Sequence, residues 1–259
     1  MARTRRQRLG QHFLRDRRVA ETIVAALPAD PQRVVEIGPG RGELTAKLLQ
    51  RFPRIVAIEL DAKLASELKL RLGNAEGLEV IGGDALEVDL ASLAAQGPWT
   101  VVGNLPYSVA TAILRRLLGF GNVFASLVVM VQREVAQRIL APAGNGERGA
   151  LSVEFQLLAQ GELLFTVPPH CFAPPPKVWS AVLRLRPRGQ LPDAVVCRAI
   201  RLARLAFTHR RKKLTNALAG TVANLGDCLL QAGVSGEARP QELTADQWLA
   251  LGRLWKEGG

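Results

Sequence analysis

Between Val34 and Val131 the hydrophobic period switches repeatedly. Short apolar runs, VVEIG, RIVAIEL, LEVIGGDA, WTVVGN and SLVVMV, alternate with longer amphipathic stretches at 43–51, 62–72, 86–95, 109–118 and 133–140. Runs without a polar face suit strands buried on both sides, and parallel strands need helical crossovers to cover those sides. The alternation therefore predicts an α/β protein built on a Rossmann-like, doubly wound parallel sheet. A Gly-rich loop follows at 141–149, then one helical segment and two strands near 163–167 and 180–185. PRGQLPDA at 187–194 breaks all periodicity and marks a domain boundary. Beyond it the chain reads as helix only, interrupted near Gly220 and Gly233. Two domains are expected: 1–187, carrying a basic arm at 1–18, and a small all-helical domain at 188–259.

Charge narrows the partners. The net charge is +11, but residues 1–18 hold seven Arg against one Asp, and 194–226 hold seven Lys or Arg and no acid. The rest of the chain stands at −2. Two basic blocks on a near-neutral body suggest a polyanion, most simply nucleic acid. If 196–218 formed one helix, Arg198, Arg201, Arg204, Arg211 and Lys212 would share a side. Val196, Ile200, Ala203, Phe207 and Leu214 would share much of the other. Such a face, with Arg210, could lie along RNA phosphates.

Other classes fall away. The longest apolar run, 124–131, is too short to cross a bilayer, and the basic start has no apolar stretch behind it. Cys171, Cys197 and Cys228 are scattered, as are His12, His170 and His209, so no structural metal is expected. The cysteine usage fits a reduced, cytoplasmic protein.

The ends of the predicted strands carry the chemistry. Gly38, Gly40 and Gly42 follow the first strand, Glu59 closes the second, and Asp84 follows the third. Glycines allow backbone to approach a ligand closely, Glu59 could accept from two ribose hydroxyls, and Asp84 from an adenine amino group. The set points to an adenosine-containing cofactor without separating NAD from S-adenosylmethionine. The GPGRG spacing and the lack of a second nucleotide site tilt against a dinucleotide.

The fourth strand ends in Asn104-Leu105-Pro106-Tyr107. Pro106 stiffens the turn. The Asn104 side-chain carbonyl and the Leu105 backbone carbonyl could converge on an amino group, and Tyr107 could stack on the base bearing it. Phe172, between Pro-rich segments, could close the sandwich. Stacking contributes about 1–3 kcal/mol per base, comparable to the few kcal/mol needed to extrude one. Lys177 and Arg184 are candidate phosphate contacts.

Taken in order, these motifs resemble those of the small-subunit ribosomal RNA adenine dimethyltransferases. GQHFL, EIGPGRGELT, IELD, GDA, NLPY, PPHCFAPPPKVWSAV and AFTHRRKKLTNAL carry the resemblance, from Gly10 to about Leu218. It implies a methyltransferase-type Rossmann-like domain and S-adenosylmethionine as cofactor. Gln11, His12, Leu14, Gly38, Gly40, Glu59, Leu60, Asp84, Ala85 and Asn104 would then line the cofactor pocket. The implied reaction places two methyls on N6 of each of two adjacent adenines near the 3′ end of 16S rRNA. The substrate would be an immature 30S-type particle; separately, nothing in the sequence demands a dimer, so a monomer is expected. His12 stands where many relatives have Asn, and Trp179 where an acid is common. Three rivals are a large-subunit rRNA adenine methyltransferase, a DNA adenine methyltransferase and a non-catalytic assembly or RNA-binding factor. Leu105 and the PPPKV and AFTHRRKK segments favour the small-subunit reading over the first. The second usually begins its motif with Asp, and the intact site residues argue against the third.

Overall fold

A computed structural model describes residues 12–30, 32–72, 75–189, 192–222 and 224–255. Gln11 and most of the basic arm lie outside the described residues. The chain divides into two compact units, 1–136 with 162–189, and 137–161 with 190–259. The second unit thus takes 137–161, which the sequence reading assigns to the first. The reason is apolar: Val153 and Leu157 are buried in one cluster with Leu202, Ala206, Leu218 and Trp248.

The first unit is built on a sheet of β2 (Arg33–Ile37), β3 (Arg54–Glu59), β4 (Leu78–Gly82), β5 (Trp99–Asn104), β6 (Phe124–Gln132), β7 (Ala159–Val167) and β9 (Ser180–Pro187). Their spatial order is β4-β3-β2-β5-β6-β9-β7. Pairs β4-β3, β3-β2, β2-β5 and β5-β6 are parallel, and β9 joins β6 antiparallel, with Gln132 opposite Ser180. The order reverses between β2 and β5, so the crevice past their C-terminal ends is where such a sheet takes a ligand. Four of the five residues of β2 and five of the six of β5 are buried, as the apolar runs require. Gly103 lets those two strands close, because a Cβ there would stand 2.5 Å from the Ile37 carbonyl oxygen.

Helices α1 (Arg17–Ala25), α2 (Glu43–Leu48), α3 (Ala62–Leu72), α4 (Ala110–Leu118) and α5 (Arg133–Leu140) follow strands or precede them. Asp16 caps α1 by accepting from the Arg18 and Val19 amides. The stretch 86–95, predicted as a helix, forms a 3₁₀ turn at Ala91–Gln96 instead. Two elements escape the periodic pattern altogether. β1 (Phe13–Leu14) pairs antiparallel with β8 (Phe172–Ala173) as a separate two-stranded ribbon.

The second unit holds α6 (Ala150–Leu158), α7 (Ala194–Phe207), α8 (Leu214–Ala217), α9 (Leu225–Gln231) and α10 (Ala245–Leu254). The long helix expected over 196–218 is broken: 208–211 form a turn, 212–213 leave the helical path, and α8 starts afresh. Arg148 is fully buried without a carboxylate among its hydrogen-bond partners. It donates to the carbonyls of Ala141 and Leu243 and to Gln156 Oε1. The Gly-rich loop before α6 is thereby fastened within this unit.

Candidate active site

The carboxyl ends of β2, β3, β4 and β5 bring the predicted residues to one pocket. Gly38, Gly40, Glu59, Leu60, Asp84, Ala85, Asn104, Leu105, Pro106, Tyr107 and His12 all line it. A smaller cavity, which shares Phe13, Gly38, Gly40 and Asn104 with the first, is lined also by Leu14 and Glu36. The described residues that the sequence gathers for cofactor and target therefore line one or other of these cavities, with Phe172 the exception; Gln11 lies outside the described residues.

Glu59 is buried at the end of β3 and organises the glycine turn. Its Oε2 accepts from the Gly40 amide at 2.9 Å, and its Oε1 from the Asp61 amide at 2.9 Å. Burial holds its proton affinity above the usual carboxylate range, opposed by those backbone hydrogen bonds. Each oxygen keeps a further lone pair, so the carboxylate can still accept from a ligand. Gly40 has φ +56, and a Cβ there would sit 2.9 Å from the Phe13 ring. Phe13 itself carries the Arg41 guanidinium 5.3 Å over its face. Asp84 turns the chain after β4, its Oδ1 accepting from the Leu86 amide at 2.8 Å.

Sequence reasoning passed over Glu36. It lies one residue before the C-terminal end of β2, 1 % exposed, and its Oε2 has no hydrogen-bond partner. Burial, with the Glu59 carboxylate adding to it, pushes its pKa up to about 8. A single acid inside VVEIG was the available signal. A buried carboxyl oxygen left unpaired costs free energy unless something meets it.

At the end of β5 the Asn104 side chain has a fixed orientation. Its Nδ2 donates to the His12 carbonyl at 2.7 Å. A carbonyl can only accept, so the amide nitrogen must face His12, and Oδ1 remains as an acceptor. The same logic sets His12: its Nδ1 lies 2.8 Å from the Pro174 carbonyl and must donate to it. The Leu105 amide donates to the Met130 carbonyl, and the Val109 amide closes a turn onto the Pro106 carbonyl. Tyr107 places its hydroxyl 2.6 Å from Ser180 Oγ, with its ring 5.6 Å from that of His12. Burial raises its pKa, so the phenol stays protonated at neutral pH.

Three expectations need correction. Phe172 is 2 % exposed and belongs to the apolar cluster with Leu14, Ile23, Val128 and Cys171, so it does not present a free face. Its pairing with Leu14 in the β1-β8 ribbon draws it inward. Arg184 is engaged with Glu162 at 2.7 Å and with the Ala26 carbonyl, and offers no open phosphate site. On α7, Arg198 donates to the Gly252 carbonyl, Arg201 lies 5.5 Å over the Trp255 ring, and Arg204 pairs with Glu154 at 2.8 Å. Arg211 and Lys212 are exposed in the turn after α7, and Arg210 there donates to the Gly146 carbonyl. Lys177 is exposed in the loop before β9.

Among the described residues, no three His, Cys, Asp or Glu side chains gather as metal ligands, and no helix is long and apolar enough to cross a membrane.

Residues 2–256 match the family model described as ribosomal RNA adenine dimethylase. A relative from Synechococcus sp. (strain WH7803), named ribosomal RNA small subunit methyltransferase A, is 42% identical over 96% of this chain and 94% of its own. One of the same name from Methylococcus capsulatus is 42% identical over 96% of each chain. Among solved structures, the 23S rRNA methyltransferase ErmE is 30% identical, with a TM-score of 0.72 over 94% of this chain and 99% of its own. A dimethyladenosine transferase from Plasmodium falciparum shares the fold at 24% identity, with a TM-score of 0.78 over 93% and 96%.

Proposed function

The chain belongs to the ribosomal RNA adenine dimethylase family, and from that premise we propose that it dimethylates N6 of two adjacent adenines near the 3′ end of small-subunit rRNA. The preferred substrate is an immature small-subunit particle in the cytoplasm, met by a monomer. The rival large-subunit activity rests on a structure 30% identical, against 42% for the small-subunit relatives.

The cofactor that this chemistry requires is S-adenosylmethionine, which supplies an electrophilic methyl group. The residues present fit it. Glu59 offers acceptor capacity for a ribose, and Asp84 for an adenine amino group. Glu36 Oε2, buried and unpaired beside the smaller cavity, fits the ammonium end of the ligand. Gly38 and Gly40 leave the space that any side chain would fill.

One observation carries the reading: the His12 carbonyl holds the Asn104 amide so that its oxygen is the free acceptor at the pocket. That oxygen and the Leu105 carbonyl accept the two hydrogens of an exocyclic amino group. Its nitrogen lone pair is then turned toward the methyl donor. Tyr107 stacks on the base, its ring held by the Ser180 hydroxyl. Alignment supplies most of the acceleration, no side chain acts as a base, and the proton leaves to water. In the second unit, Arg211, Lys212 and Arg210 are the candidate phosphate contacts.

The test is to incubate the protein and labelled donor with small subunits lacking the modification, then map the label by nucleotide. Label on two adjacent adenines is expected. Asn104→Ala should lose about a hundredfold in rate, the scale of a misplaced reacting group. Undiminished methylation by that variant would overturn the mechanism, and label elsewhere would overturn the substrate.

A further inference from the structure

Trp179 is 46 % exposed, unlike the other three of the chain's four tryptophans, Trp99, Trp248 and Trp255, which are all buried. Exposing an indole forgoes one of the largest available burial gains, so its position matters. It immediately precedes Ser180, whose side chain touches Tyr107. Its carbonyl accepts from the Arg133 amide at 2.9 Å, just past the point where Gln132 of β6 pairs with Ser180 of β9. The backbone of Trp179 is therefore fixed at the sheet rim that also carries Asn104, since Asn104 pairs with Met130 two residues before Gln132. Lys177 and Arg133 are both exposed beside it, and Val178 is 44 % exposed. An aromatic face between cations on a rigid rim is the composition of a nucleic-acid stacking platform.

Ser180, the first residue of β9, turns its side chain onto Tyr107. Trp179 lines neither the pocket nor the smaller cavity. It is placed to meet a base outside the pocket rather than the base that enters it. Phe172, which the sequence suggests for stacking, is buried, whereas Trp179 keeps its indole exposed. We propose that Trp179 is a substrate-positioning residue that stacks on the nucleotide flanking the target adenine, while Lys177 and Arg133 hold its phosphates. The inference rests on RNA being the substrate, as proposed above.

Two readouts separate it from that reading. Wild type, Trp179→Ala and Trp179→Phe are compared in steady state on small subunits lacking the modification. Trp179→Ala should raise KM about tenfold, within the range expected for loss of one base stack, with kcat changed less than about twofold. Trp179→Phe should recover most of the loss, and donor affinity measured by calorimetry should be the same in all three. An unchanged KM in Trp179→Ala would overturn the inference while leaving the methylation intact. The second readout is intrinsic fluorescence on titration with a single-stranded oligoadenylate RNA. The signal should be quenched in wild type and not in Trp179→Phe, because the remaining tryptophans are buried. Quenching that persists in Trp179→Phe would also overturn it. If wild type fails to methylate any rRNA, the proposed function falls, and the titration alone still decides the stacking.

Discussion

At the scale of single residues, Glu36 carries the clearest electrostatic cost. Its carboxyl is held near pKa 8 inside the sheet, against an ordinary value of 4.5. Between those values the native state keeps a proton that the unfolded chain has released, so folding stability falls as pH rises through that window. Above about pH 8 the penalty is complete and the contribution levels off. Glu36→Gln keeps the shape and removes the titration. Melting temperature followed from pH 5 to 8 should decline for the parent and decline less for Glu36→Gln. Parallel curves would show that folding does not raise the proton affinity of Glu36. Glu59, Asp84 and Asn104 were legible in the sequence because each closes or follows a strand, and parallel strands of one sheet end on one rim. Ser180 was not legible, since it stands 73 residues from Tyr107 and reaches it only because β9 docks antiparallel on β6. Phe172 misled for the opposite reason. Its neighbouring prolines read as a loop, whereas its contact with Leu14 across the β1-β8 ribbon buries it.

Among elements, the strand-helix alternation was the readable part, and its failures have local causes. The 86–95 stretch has helical periodicity, but the side chains of Asp84 and Asp89 accept from the Leu86 and Ala91 amides. The Asp84 carbonyl also accepts from the Glu87 and Val88 amides, closing a turn, and Asp89 begins a separate one, so the stretch is split and only a short 3₁₀ turn results. The expected 196–218 helix stops at Phe207 although no Gly or Pro breaks it. Thr208 Oγ1 donates to the Leu205 carbonyl, and the Leu214 amide donates to the Ala238 carbonyl, so distant backbone pulls α8 away from a helical path. Helices α7 and α10 pack closely at Gly252, where a Cβ would stand 2.7 Å from the Val195 carbonyl oxygen and 2.8 Å from the Ala199 Cβ. The Gly252 carbonyl also accepts from Arg198 at 2.9 Å. Gly252→Ala should therefore force the two helices apart despite its better helix propensity. A loss of about 1–3 kcal/mol, the scale of overpacking a filled core, is expected in denaturant unfolding. Stabilisation instead would mean that the crossing relaxes freely.

For the molecule as a whole, the question is how much of its +11 charge is free to meet a polyanion. The sequence presents 194–226 as one basic block, but the structure divides it. Arg198, Arg201 and Arg204 are occupied by a carbonyl, an aromatic ring and Glu154, so their charges help hold the second unit together. Arg211 and Lys212 stand exposed in the turn that interrupts the helix, with Arg210 beside them. Removing a phosphate contact reduces the salt slope of binding by about 0.7 on single strands and 0.9 on duplex. Neutralising Arg210, Arg211 and Lys212 together should therefore lower the slope of log K against log salt by about two to three. Affinity should fall most at low salt, where counterion release contributes most. Filter binding of an rRNA fragment across a salt series measures both. A single Arg204→Ala change should instead be felt in stability, since it removes a cation held 2.8 Å from the buried Glu154 carboxylate, 5 % exposed as a side chain. Equal salt slopes in the triple variant and the parent would mean that this turn does not contact RNA, and would move the interface to other cations of the chain.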